Sequence, residues 1–438
     1  MTDTTTGALA GERVAARGSD RRWIVVVAAL HALVFGPVAF HALFRPGLVF
    51  PNLWLWHAAR IPDTFRTPLT PVQPHFGWHL FAKAIDVLLP GTDPRIAGTA
   101  TSILASAGFG VALYVVFRRT DDGRVLLRPA AAVGAGLALA LMESPAALQG
   151  FQALASPTTR FVPLYYSFVP TTLAAMGLNV AMVWLTGLLV DGRLGSRARR
   201  FLPLLVVATA IAKPNLVPAI ALVAPALAWV AARRGEGGPR QRVVDALRLV
   251  TLPAAIVTAF QFSILRWFSP AYLTGGIAIR PMWELREFGG LGWQFWLICL
   301  FPLVALLLVR SPLLDVSVRV SLGLFLVGLG ASVIFARSGQ TLYKGADGGD
   351  IIQLAGAGAT VLLIFACRRV LILRREGRVS AAVLAVLALT LVPYLAAGVM
   401  TWRCQGAGVA CYEREVAPIW PQPGYDEPGP VPMPRDGS

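Results

Sequence analysis

The segment from Trp23 to Phe44 reads WIVVVAALHALVFGPVAFHALF and contains no lysine, arginine, aspartate or glutamate. A helix needs about 20 apolar residues to cross the hydrocarbon core of a bilayer, and this run meets that length. Arg21 and Arg22 stand directly before it, and basic residues are enriched on the cytoplasmic side of such helices. No small-residue cleavage site of a signal peptide follows. The run therefore predicts a membrane-spanning helix that starts in the cytoplasm.

The rest of the chain has the same apolar character. Of its 438 residues, 56% are hydrophobic and only 14% are charged, and the mean hydropathy is +0.63. A soluble domain carries about 25% charged residues, so this chain has too little polar surface to be water-soluble. The apolar runs do not alternate with polar residues, which favours helices over the strands of a membrane barrel.

The formal charge of +16 does not indicate nucleic-acid binding. The basic residues stand in short clusters between apolar runs, as they do in the cytoplasmic loops of membrane proteins. No module that combines basic and aromatic residues for nucleic-acid recognition is present. The expected partners are therefore membrane lipids, and nucleic acid is excluded.

Further apolar runs predict an all-α bundle of about 11 spans with the N-terminus in the cytoplasm and the C-terminus outside. Eight of these runs are simple: 97–117, 130–149, 168–190, 244–268, 292–309, 318–336, 351–367 and 380–400. The stretch 201–232 is too long for one span and has basic clusters at both ends. It therefore predicts two short or broken helices that meet at Lys213-Pro214-Asn215, because proline removes a helical donor.

The parts of the chain outside the apolar region are short. Residues 1–20 are expected to form a disordered cytoplasmic tail, 21–400 the transmembrane domain and 401–438 a proline-rich outside tail, with residues 45–95 as the first outside loop. Cys404 and Cys411 lie in the outside tail, where an oxidising compartment allows a disulfide; two free thiols are the alternative.

The first outside loop contains an amphipathic helix between residues 74 and 90. His75, His79, Lys83 and Asp86 form one polar stripe at helical spacing, and the opposite face is apolar, so the helix is expected to lie in the membrane interface. Three interpretations of the stripe stay open: a solvated surface, a pair of metal-binding histidines, or the lining of a functional cleft that binds substrate.

Three positions are candidates for chemistry within or near the membrane. Asp63 in the first loop and Glu143 at the outer end of the third span could each act as a general base. The alternative for Asp63 is a turn residue or an ion-pair partner of Arg60 or Arg66, and the alternative for Glu143 is a helix-end carboxylate among the lipid headgroups. Lys213 has about a dozen apolar residues on each side. A buried lysine favours an anionic partner such as a lipid phosphate; the alternative is a lysine that snorkels to the interface.

A second polar loop runs from residue 337 to residue 350. Arg337, Lys344, Asp347 and Asp350 surround flexible glycines, so this loop could bind a phosphate or sugar hydroxyls. The alternative is a glycine turn in which Asp350 caps the next helix. The sequence contains no P-loop, no zinc signature and no evident Ser/His/Asp set, so no cofactor is expected, although a divalent metal is not excluded.

Local motifs resemble those of a bacterial branch of the GT-C superfamily, the multi-pass glycosyltransferases that use polyprenyl-phosphate sugars. The motifs are Pro74-His-Phe-Gly-Trp-His79, Ser167-Phe-Val-Pro-Thr171, Ala212-Lys-Pro-Asn215 and Leu342-Tyr-Lys-Gly-Ala-Asp-Gly-Gly-Asp350. The architecture is also similar, with an inside N-terminus, a long first outside loop and broken central helices.

The resemblance implies transfer of a sugar from a lipid-linked donor to an acceptor on the outer side of the bacterial inner membrane. It implies an acidic base in the first outside loop, for which Asp63 is the first match, with Glu143 and Asp86 as further candidates. Asp63 departs from the family because it lies about twenty residues beyond Phe44. Lys213 and the cations of the 337–350 loop would hold the phosphate. A lipid or solute transporter and a non-catalytic scaffold of the cell envelope are the alternatives.

Overall fold

The computed structural model describes residues 4–44, 76–142, 170–234, 239–268, 277–279, 299–337 and 352–407, together with Ala58, Ile61 and Pro281. Nearly all of these residues are helical. In chain order the helices are α1 (Thr4–Phe44), α2 (Gly77–Leu88), α3 (Pro94–Arg118), α4 (Pro129–Leu141), α5 (Pro170–Val190), α6 (Ser196–Ala212), α7 (Val217–Arg234), α8 (Pro239–Ala246), α9 (Leu252–Phe268), α10 (Leu300–Val309), α11 (Val316–Ile334), α12 (Ile352–Arg375) and α13 (Ala381–Ala407).

Six helical segments in the described part of the chain are long and apolar enough to cross a membrane: Asp20–Phe40, Pro94–Arg118, Arg240–Gln261, Val316–Ile334, Leu354–Arg375 and Ala381–Val399. Four shorter apolar helices accompany them: Pro129–Leu141, Ala174–Val190, Val217–Arg233 and Leu300–Val309. Large apolar side chains such as Leu33, Leu307 and Leu389 are exposed on the outside of the bundle, where they suit contact with lipid. The chain is therefore a multi-pass helical membrane protein.

Two helices differ in extent from the sequence-based expectation. α1 begins at Thr4, within the 1–20 segment that was expected to be disordered. The stretch from residue 7 to residue 17 is rich in alanine and arginine, which are strong helix formers. α13 continues to Ala407, past the expected end of the membrane domain at residue 400.

Among the described helices, α11 and α12 form the most extensive pair, and small residues let their backbones touch. A Cβ added to Gly328 would lie 2.5 Å from Ala355 N, and one added to Gly358 would lie 2.6 Å from Phe325 Cα. Helices in lipid associate through such close packing because the lipid tails are as apolar as their side chains. The pair forms part of the centre of the bundle, where α11 also packs against α5 and α7.

Loops that the sequence assigns to one side of the membrane meet at one end of the bundle, here called the polar end. Arg118 Nε at the end of α3 donates to Asp20 Oδ1 at 3.0 Å. Asp121 Oδ1 in the next loop accepts from Arg368 Nη2 on α12 at 2.7 Å and from Trp184 Nε1 on α5 at 3.1 Å. The start of the apolar part of α1 and the ends of α3, α5 and α12 therefore share this end.

Two further contacts extend the polar end to α6, α8 and the turn between α10 and α11. Arg369 Nε donates to Pro312 O in the turn between α10 and α11 at 2.9 Å. Arg199 Nη1 at the start of α6 lies 2.6 Å from Asp245 Oδ2 on α8. Alternate helix ends therefore lie at the same end of the bundle, as a chain that crosses a membrane back and forth requires.

A short antiparallel ladder lies at the opposite end of the bundle. β1 (Ile277–Ile279) follows α9 and pairs with β2 (Phe335–Arg337), which follows α11, in the register Ile277 to Arg337. The ladder joins the chain segments that leave α9 and α11 and fixes the backbone of Arg337 beside them.

Candidate functional site

The predicted site residues fall into two groups. His79 and Asp86 on α2 and Lys213 between α6 and α7 are described in full, and Arg337 is described as part of β2. The others lie outside the described residues: Asp63, His75, Glu143, Lys344, Asp347, Asp350 and Cys411. Cys404 lies in the last turns of α13. Because Cys411 lies outside the described residues, the disulfide between the two stays a prediction.

α2 contacts the bundle through the face that carries its histidine. Trp78 and His79 are both buried, and Trp78 Nε1 donates to Ser102 Oγ on α3 at 3.2 Å. The apolar side chains point the other way: Phe81 is 66% exposed and Leu88 is 77% exposed. The interpretation of the polar stripe as a solvated surface is therefore wrong for His79. In lipid the polar face of a helix finds its partners inside the protein, and the apolar face remains outside.

The second half of the stripe is partly buried and paired within α2. Lys83 Nζ lies 2.9 Å from Asp86 Oδ2, one helical turn away, and the two side chains are 27% and 17% exposed. The pair places the Asp86 carboxylate beside Lys83, on the face of α2 that the buried His79 also occupies. Of the three candidate bases, Asp86 is the one that lies within the described residues.

The start of α2 packs directly against the end of α6. A Cβ added to Gly77 would lie 2.9 Å from Ala212 Cα and 3.0 Å from Ala212 N, so only glycine permits this contact between the two backbones. Lys213 is the next residue after Ala212. The contact therefore brings the first turn of α2, which contains His79, beside the break that carries Lys213.

Lys213 occupies the break between the two short central helices, as the sequence predicts. α6 ends at Ala212, Lys213 has an extended backbone with φ −165° and ψ 120°, and a 3₁₀ turn over Pro214–Leu216 leads into α7. The helix ends here because a residue before proline avoids the helical region. Lys213 is only 9% exposed, between apolar residues of both helices. A buried ammonium in a membrane protein usually faces an interior site and an anionic partner.

The carbonyl that Pro214 leaves without a helical donor is bound by a side chain from another span. Ala210 O would accept from the amide of residue 214 if the helix continued, but proline has no N–H. Gln261 Nε2 on α9 donates to Ala210 O at 2.8 Å, and Gln261 is buried. A polar side chain from a distant part of the chain thus completes the hydrogen bonding at the break.

The same arrangement occurs a second time in this helix pair. Pro225 lies inside α7 and leaves Ala221 O without its helical donor. Thr251 Oγ1 donates to Ala221 O at 2.8 Å. Thr251 ends a π-helical turn over Leu247–Thr251 that joins α8 to α9. The span that contains α8 and α9 therefore supports the broken pair α6 and α7 at two carbonyls.

Sequence reasoning missed Gln261 and Thr251. The sequence contains a signal for both. A proline four residues after a helical residue leaves the carbonyl of that residue without its amide donor, so a side chain from another segment must replace it. The apolar run 244–268 contains few polar side chains that could do so. What the sequence leaves open is which polar residue supplies that donor. Gln261 and Ala210 are 51 residues apart in the chain.

Metal binding has no geometric support in the described part of the chain, where no three His, Cys, Asp or Glu side chains come close enough to share an ion. His79 is described without His75, so the proposed pair of histidines lies partly outside the described residues.

No protein-family model matches the sequence, and no curated protein matches it. What the site can do therefore follows from its own chemistry. A buried lysine stands at a helix break, a partly buried carboxylate lies on the neighbouring amphipathic helix α2, and that helix exposes apolar side chains on its other face. This combination suits a ligand with an anionic head and an apolar tail.

Proposed function

We propose that the protein is a GT-C-type glycosyltransferase of the bacterial inner membrane, with about 11 spans and the polar end in the cytoplasm. It takes a sugar from a polyprenyl-phosphate carrier and transfers it to an acceptor on the non-cytoplasmic side. The observation that carries the proposal is the burial of Lys213 at the helix break, beside the first turn of α2. A lipid-linked phosphate supplies the negative charge that this lysine attracts, and its tail suits the lipid around α2.

The proposed reaction divides the work between a base and the cations. The acceptor hydroxyl oxygen attacks the anomeric carbon of the sugar, and the bond between that carbon and the phosphate oxygen breaks. A carboxylate takes the hydroxyl proton, and the electron pair of the broken bond leaves with the carrier phosphate. Lys213 stabilises the departing phosphate, and Arg337 and Lys344 are proposed to assist it.

Three carboxylates are candidates for the base, and they can be separated by substitution. Asp63→Asn, Glu143→Gln and Asp86→Asn remove the proton acceptor while keeping the size of the side chain. Loss of the base is expected to reduce turnover by about 10²- to 10⁴-fold in one variant, with the other two close to wild type. If all three variants keep full transfer activity, the assignment of the base is wrong.

The first test is the identity of the lipid that the protein retains. Native mass spectrometry of gently purified protein is expected to show a polyprenyl phosphate or its glycosylated form. Lys213→Met should lose this lipid. Arg375→Met, which removes an exposed cation from the polar end of α12, is the matched control and should keep it. Ordinary phospholipid alone in all three samples would contradict the proposal and favour a transporter or a scaffold.

A further inference from the structure

The hydrogen bond between Gln261 and Ala210 lies in the last turn of α6, directly before Lys213. Ala210 is in the last turn of α6, and Lys213 N donates to Thr209 O at 2.8 Å in the same turn. The last turn therefore ends with one backbone bond from Lys213 and one side-chain bond from Gln261. The direction in which the chain leaves α6, and with it the Lys213 side chain, depends on how these carbonyls are satisfied.

We infer that Gln261 is a positioning residue that holds the Lys213 break in one conformation. Ala210 is fully buried, and a buried carbonyl without a donor is costly, so the conformation in which Gln261 reaches Ala210 O is strongly preferred over others. Removal of the amide leaves Ala210 O to find water or to shift the last turn of α6. Either change alters the surroundings of Lys213. The role of this placement in ligand binding rests on the proposed function, whereas the placement itself does not.

Thr251 provides a matched comparison within the same structure. It makes the same kind of bond, from a side chain of the same span to a carbonyl left free by a proline. Its acceptor Ala221 lies in the second turn of α7, beyond the break. Loss of either hydrogen bond should therefore cost a similar free energy of unfolding. Only loss of the Gln261 bond should change the surroundings of the Lys213 side chain.

The chain contains only three lysines, Lys83, Lys213 and Lys344, which makes the surroundings of Lys213 directly measurable. The purified protein is treated with an amine-reactive acetylating reagent, and the modification of each lysine is followed by peptide mass spectrometry. Lys83 on α2 serves as the internal reference. Gln261→Leu is expected to change the ratio of Lys213 to Lys83 modification severalfold, whereas Thr251→Val should leave this ratio at the wild-type value.

A second measurement uses undecaprenyl phosphate, titrated into the protein in detergent. Gln261→Leu should weaken its binding about tenfold, Lys213→Met should weaken it at least as much, and Thr251→Val should leave it near the wild-type affinity. If Gln261→Leu does not fold, Gln261→Asn replaces it, because its amide is one methylene too short to reach Ala210 O. A changed modification ratio without any phosphate binding by wild type supports the positioning role and contradicts the proposed function. An unchanged ratio in Gln261→Leu or Gln261→Asn overturns the inference.

Discussion

Arg368 Nη2 lies 2.7 Å from Asp121 Oδ1, and the Arg368 side chain is only 1% exposed. The same guanidinium donates from Nε to Val116 O at 2.9 Å and from Nη2 to Arg119 O at 3.0 Å. Val116 is in the last turn of α3 and Arg119 follows that helix, so their carbonyls lack helical donors. Arg368 therefore joins the C-terminal end of α3, the following loop and α12.

Arg368→Met should destabilise the protein by roughly 3–5 kcal/mol, because it removes the charge partner of Asp121, which keeps only the Trp184 indole, and the donor of the Val116 and Arg119 carbonyls. Thermal unfolding in detergent measures the loss. Arg375→Met is the control on the same helix, where the side chain is exposed, and should unfold near the wild-type temperature. Equal midpoints for the two variants would show that Arg368 does not hold the polar end together.

The contact between α1 and α3 predicts a steric effect at one glycine. A Cβ added to Gly110 would lie 2.4 Å from two ring carbons of His31, so Gly110→Ala should destabilise the protein by about 1–3 kcal/mol. Gly108→Ala is a matched control on α3, since a Cβ there meets no atom within 4 Å. His31→Ala should relieve most of the loss in the double variant. A loss that persists without the imidazole would point to another cause.

The second proline of the broken pair predicts a coupled effect. Thr251→Val should cost about 0.6–2 kcal/mol, because Ala221 O loses its donor within the membrane. Pro225→Ala restores the amide that Ala221 O lacks, so Thr251→Val should cost little in that background. The double-mutant cycle, measured by thermal unfolding, gives the coupling directly. If the effects of the two substitutions on the free energy of unfolding are additive, the Thr251 hydroxyl does not substitute for the amide that Pro225 lacks.

Asp315, which caps the start of α11, predicts a pH dependence. Its Oδ1 accepts from Val318 N at 2.9 Å, and burial raises its pKa above the ordinary 3.8, although the Val318 amide and Arg369 oppose the rise. A raised pKa in the folded state means that the folded protein binds this proton more tightly than the unfolded chain does. The Asp315 contribution to stability is therefore largest below pH 3.8 and falls as the pH rises through the raised value.

Asp315→Asn keeps an oxygen that can cap the helix but removes the partly buried charge. The variant should gain in unfolding temperature relative to wild type as the pH rises from about 4 to 7. Thermal unfolding at several pH values measures the difference between the two proteins. A constant difference across this range would show that the carboxylate does not titrate as its burial implies.

The helix break and the orientation of α2 show how far sequence reasoning reaches. Pro214 predicts the end of α6, because proline lacks an amide hydrogen and disfavours a helical backbone at the preceding Lys213, and both effects are local. The structure confirms that the helix ends at Ala212. The spacing of His79, Lys83 and Asp86 predicts that they share one side of α2, and it leaves open which side contacts the protein. Trp78 and Ser102 decide this, through a hydrogen bond between α2 and α3.

Hydropathy and proline chemistry by themselves determined that this chain is a helical membrane protein with a broken central pair. Both act over a few residues, since a run of apolar side chains partitions into lipid and a proline withholds one amide wherever the chain folds. Only the tertiary structure decided that Gln261 binds Ala210 O, that Arg368 closes the end of α3 and that His79 faces inward. These contacts join residues far apart in the chain, and in lipid each polar group must find whichever partner the packing of helices brings to it.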